Sequence, residues 1–91
     1  MFYDKEGQEI SLEEWASRFQ DKEYQRIACA EMPEACVSTV WLGIDHGGGM
    51  IFETMVFGGE LDEKQVRYRT LKEAKAGHKA IVEACRKLGA R

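Results

Sequence analysis

Apolar residues recur along this chain with two different periods, and the changes of period divide it into elements. Phe2 to Gln8 reads as a short extended piece and a turn. Beyond it Leu12, Trp15 and Phe19 fall three and four residues apart, the spacing of one face of an α-helix. Ser11 stands three residues before Glu14, a capping box in which each residue satisfies a free backbone N–H of the other's end of the turn. This predicts a short amphipathic helix from about Leu12 to Gln20. From Tyr24 to Met32 the pattern turns extended, and Pro33 suits a tight turn into Cys36 to Ile44, so that these two segments form a hairpin whose four-residue loop, Glu31 to Glu34, puts Cys29 opposite Cys36. Val37 to Ile44 and Ile51 to Phe57 are rich in β-branched and aromatic residues and predict two strands. Gly47, Gly48 and Gly49 between them supply a reversal that needs positive φ. Gln65 to Arg69 returns as a fourth strand, with Val66 and Tyr68 on one face. Thr70 and Glu73 then open a helix from about Leu71 to Leu88, whose stripe of Leu71, Ala74, His78, Ile81, Val82, Cys85 and Leu88 is suited to lie on a sheet. The expected fold is α+β: an antiparallel four-stranded meander with a long C-terminal helix on one face and a short N-terminal helix.

Ninety-one residues support one core, so residues 1–91 are read as a single domain. With 44% hydrophobic and 32% charged residues, composition points to a folded globular chain. The longest apolar run, Val37 to Ile44, is far shorter than a bilayer crossing, and Met1 to Glu6 lacks a signal-peptide pattern. Three cysteines, Cys29, Cys36 and Cys85, argue against a closed disulfide framework and for reduced thiols. A soluble, cytoplasmic protein is the expectation. The net charge of −3 hides a segregation: residues 1–63 carry 4 basic and 14 acidic side chains, residues 64–91 carry 9 and 2. Such a split serves either a basic surface for an acidic partner or charge complementarity within or between subunits.

Strand faces carry the functional reading. A second hairpin centred near Gly48 puts Val40, Leu42, Ile44, Phe52, Thr54 and Val56 on one face, which should receive the long helix. The other face then carries Thr39, Trp41, Gly43, Ile51, Glu53, Met55 and Phe57, with Glu53 opposite Gly43, and is too apolar for a solvated surface. Either the short helix with Trp15 and Phe19 covers it, or another protein chain does. Trp41, Glu53, Met55 and Phe57 are therefore the candidate partner-binding residues, and the partner is a second copy of the chain or a different protein.

Other chemistry is weakly signalled. His46 lies in a Gly-rich stretch that leads into a strand rather than a helix, unlike a phosphate cradle. His78 shares the apolar stripe of the last helix beside Gly77, whose cost of about 1 kcal/mol in a helix suggests close packing there. It is read as a buried core histidine. Neither histidine combines with the cysteines at zinc-site spacings, and no acid–base pair is apparent, so no metal, cofactor or catalytic residue is expected. A small-molecule binder or enzyme using His46 or His78 is one alternative. Nucleic-acid binding through Lys72, Lys75, Lys79, Arg86 and Lys87 is the other, opposed by the acidic remainder of the chain.

From Val37 to Cys85, and again from Tyr3 to Phe19, the sequence resembles a family of small proteins of unassigned function encoded by tailed bacteriophages and prophages. The resemblance is most specific at Leu42 to His46, at Phe52 to Gly59, and at Tyr68, Glu73, Ala74, Gly77 and His78. The loop after Asp45-His46 is shorter than that family's, which weakens any ligand role for it. The resemblance implies a phage origin and carries over no catalytic residues. It leads to the expectation of a small phage accessory protein that acts by binding, as a homodimer or as an inhibitor of a host protein such as a defence nuclease.

Overall fold

The computed structural model describes residues 1–45 and 47–89. Two short strands, β1 (Phe2–Tyr3) and β2 (Glu9–Ile10), pair antiparallel across a turn held by Asp4. Its carboxylate accepts the backbone N–H groups of Glu6 and Gln8 at 3.0 and 2.9 Å, which satisfies a side chain that is itself buried. Helix α1 (Leu12–Gln20) follows, with the expected capping box between Ser11 and Glu14. Asp21 then caps a single helical turn, α2 (Lys22–Gln25), by accepting the N–H groups of Glu23 and Tyr24. The extended reading of Tyr24 to Met32 thus begins too early, because an Asp at the N-cap position nucleates a turn that strand propensity alone does not reveal.

Strands β3 (Arg26–Glu31), β4 (Cys36–Trp41), β5 (Phe52–Phe57) and β6 (Gln65–Tyr68) form an antiparallel sheet in the order β3-β4-β5-β6, the expected meander. Helix α3 (Leu71–Gly89) runs along it. Ala74, Ile81, Val82 and Cys85 of the predicted stripe are buried against the sheet, while the intervening Lys72, Lys75, Lys79, Arg86 and Lys87 are exposed.

The register of β4 on β5 differs from the expectation by three residues. Glu53 pairs with Val40, not Gly43, and Trp41 pairs with Phe52. An odd shift exchanges the faces of one strand relative to the other. The cause is a bulge: the N–H groups of both Leu42 and Gly43 donate to the carbonyl of Ile51, at 2.8 and 3.2 Å, so two residues oppose one. The core face therefore carries Val37, Thr39, Trp41, Phe52, Thr54 and Val56, all fully buried. Trp15, Phe19 and Tyr24 pack against Trp41 on this same face, so α1 and α2 extend the layer begun by α3 instead of covering the opposite side.

Two apolar clusters result. One joins Val37 and Val56 to Ile81, Val82 and Cys85, and the other gathers Trp41, Ile51, Phe52 and Ala74 with the aromatic side chains of α1 and α2. Gly43 permits the second. Its φ is +74°, and a Cβ there would come within 2.7 Å of the Trp15 ring and closer still to Trp41. Gly43→Ala is expected to lower stability by about 3 kcal/mol, from backbone strain and overpacking together. Gly7, at φ +83° with open space around it, should lose only about 1 kcal/mol as Ala. Urea unfolding of the two variants checks this, and equal losses would refute the close approach at Gly43.

Candidate functional site

Because the three helices among the described residues gather on one side, none of them covers the other face of the sheet. Alternation along β4 and β5 places Cys36, Ser38, Val40, Glu53, Met55 and Phe57 on it, and β3 adds Arg26, Cys29 and Glu31. Within β4 and β5 the alternate residues are buried, whereas these residues are partly or largely accessible, and Phe57 is 52% exposed. Of the four residues expected to bind a partner, the structure keeps Glu53, Met55 and Phe57 together. It removes Trp41, which is fully buried on the core face with its indole N–H donating to the carbonyl of Tyr3 at 3.0 Å. Trp41 is a core residue of the single chain. Val40 takes its place, opposite Glu53, a substitution that the alternation of β4 contains but that only the register reveals.

Glu53 is the electrostatic centre of this face. Its carboxylate accepts from Arg67 Nε at 3.1 Å and from Gln65 Nε2 at 2.6 Å, both on the neighbouring strand β6. Its side chain is only 15% exposed. The charge is therefore already compensated within the chain, and a partner meets a paired carboxylate flanked by apolar side chains. On the far side Cys29 and Cys36 approach each other, with their sulfurs 3.9 Å apart. Cys29 pairs with Ser38 and Cys36 with Glu31, so the two cysteines are diagonal rather than directly opposed. Burial pushes the Cys36 thiol up, and the hydrogen bond and charge of Cys29, then the charge of Glu31, push the same way.

The core face holds a second polar group. Thr39 and Thr54 pair across β4 and β5, their hydroxyls share a hydrogen bond, and Thr39 Oγ1 also shares one with His78 Nδ1 at 2.7 Å. This row separates the two apolar clusters. His78 faces the sheet from the helix stripe as expected, but it is half-buried rather than buried, and its partner is a threonine hydroxyl from the sheet. Gly77 beside it is explained by the ring of Tyr68, which occupies the space a Cβ would need. Helix periodicity places His78 toward the sheet, whereas nothing local to it names Thr39, thirty-nine residues earlier.

His46 lies outside the described residues. Next to it Asp45 accepts the N–H groups of Gly47 and Gly49 at 2.7 and 2.9 Å, an arrangement of a capped turn. Among the described residues no group of three His, Cys, Asp or Glu side chains is placed to hold a metal ion, and no helix is long and apolar enough to cross a membrane. Comparison with known proteins finds no matching family model, no matching curated protein and no matching solved structure.

Burial lowers the pKa of His78 below its ordinary 6.5. The unfolded chain then binds a proton that the folded chain resists, so stability present above about pH 6.5 is lost as pH falls toward the lowered folded value. Urea midpoints between about pH 7.5 and 5.5 should fall for the wild type and fall less for His78→Asn, in the window of histidine titration. Parallel profiles for the two proteins would contradict this assignment.

Proposed function

We propose that this protein acts by protein–protein binding through the open face of its sheet, with Val40, Met55 and Phe57 as its apolar contacts and Glu53 paired across from Val40. The observation that carries the reading is a four-stranded sheet with helices on one side only and a half-exposed Phe57 on the other. Aromatic and Met side chains are enriched at interface centres, and Arg26, Glu31, Gln65 and Arg67 supply the polar rim that such centres require. The first partner is a second copy of the chain. For a phage-encoded chain the partner is equally a host protein, an inhibited defence nuclease being one such target.

The test compares the wild type with Met55→Ser/Phe57→Ser. Both side chains leave the sheet on its open side, so the variant is expected to keep the wild-type urea midpoint within about 1 kcal/mol. Association, measured by light scattering for self-association and by affinity capture for another protein, should weaken by about 2 kcal/mol or more, the size of a hot-spot loss. Capture of the same protein and the same molar mass by wild type and variant would refute this face as the contact.

A further inference from the structure

We propose that Cys29 and Cys36 form half of a zinc-type site that two copies of the chain complete between them, each copy giving two thiolates to one tetrahedral divalent ion. The proposal rests on the open face as a contact surface and names what joins two copies there.

The geometry separates chelation from bond formation. Thiolates about 2.3 Å from a tetrahedral zinc ion lie about 3.8 Å from each other. The two sulfurs stand 3.9 Å apart, within a small side-chain adjustment of that spacing. A disulfide requires an approach to about 2.05 Å, and across a diagonal of an antiparallel pair the backbones are about 7–8 Å apart, at or beyond the limit for bridging without backbone movement. Cys29 is exposed and Cys36 half-buried, on the side of the sheet that no helix covers, so an ion reaches both. Glu31, paired with Cys36, adds negative charge beside the thiols, which favours a cation.

Two thiolates do not close a structural zinc site, which takes four ligands. Among the described residues no third His, Cys, Asp or Glu completes a cluster, and Cys85 is buried on the other side of the sheet. An identical pair from a second copy related by a two-fold axis supplies the missing ligands with the right identity and spacing. As the ion binds, each of the four thiols gives its proton to solvent and its sulfur lone pair to the metal. Nothing is oxidised.

The experiment titrates the reduced, metal-stripped full chain with zinc chloride while light scattering follows molar mass and elemental analysis follows bound metal. The expected result is one zinc per two chains, dimerisation in step with binding, and reversal by a chelator. Cys29→Ser and Cys36→Ser should each abolish the zinc-dependent dimer and weaken zinc binding by more than about 100-fold, beyond the loss from a merely supporting group. Cys85→Ala should leave both unchanged. No bound zinc, or one zinc per monomer, would overturn the shared site. A zinc-free dimer that survives Cys29→Ser but not Met55→Ser/Phe57→Ser would overturn it as well, while leaving the open face standing as a contact surface.

Discussion

The burial of Trp41 is the constraint on which the rest of the architecture depends. Its indole is fully enclosed and its N–H reaches the carbonyl of Tyr3. Tyr24 meets it edge-on at 4.9 Å, and Phe19 lies 6.4 Å away with Trp15 stacked behind. Enclosing so large a side chain takes more surface than α3 offers, and the N-terminal third of the chain provides it. Trp15 in turn donates its indole N–H to the carbonyl of Leu42 at 2.9 Å, so the two tryptophans tie the ribbon, α1 and the bulged end of β4 into one unit. Each polar indole edge is satisfied by a backbone carbonyl, as a buried Trp requires. The consequence lies on the other side of the sheet: every helix is committed to enclosing Trp41 or to continuing α3's contacts, and none remains for the face that bears Phe57.

Between the two apolar clusters the Thr39–Thr54–His78 row spends burial on polar atoms that another core would fill with methyl groups. Such a row is tolerated because its members satisfy one another. Tyr68 shows the opposite case. Its ring fills the space left by Gly77, yet its buried hydroxyl has no hydrogen-bond partner among the described residues, a deficit of about 1–3 kcal/mol that the ring's packing offsets. The middle of the sheet is thus specified by hydrogen bonding, and its two ends by apolar contact.

Charge is segregated in space less simply than in sequence. Of the ion pairs among the described residues, only Arg67–Glu53 joins the basic C-terminal part to the acidic remainder. It lies on the open face, where it holds β6 to β5 and lowers the cost of bringing an apolar surface against Glu53. The lysines of α3 point away from both the core and this face. Internal complementarity therefore accounts for little of the asymmetry, and most of the basic charge remains on one exposed helix surface.

Local chemistry made the elements legible. The capping residues Ser11 and Thr70, the helical spacing of Trp15 with Phe19 and of Ala74 with Ile81 and Cys85, and the β-branched runs of β4 and β5 each act within a few residues, so their consequences are written in order along the chain. The meander and the long helix on one of its faces followed from them. What combines two strands is different in kind. Alternation assigns each strand two faces but does not say which faces meet, and ten residues of loop and bulge separate Trp41 from its partner Phe52. The bulge at Leu42 and Gly43 exists because Gly43 alone leaves room for two indoles, a reason visible only once Trp15 has folded back from the N-terminus. So the sequence by itself determined that the sheet carries large apolar side chains on both faces, one of them to receive the long helix. Tertiary packing decided that Trp41 belongs to that face and that Glu53, Met55 and Phe57 remain on the other, because an odd shift of register is settled by contacts far apart in the chain.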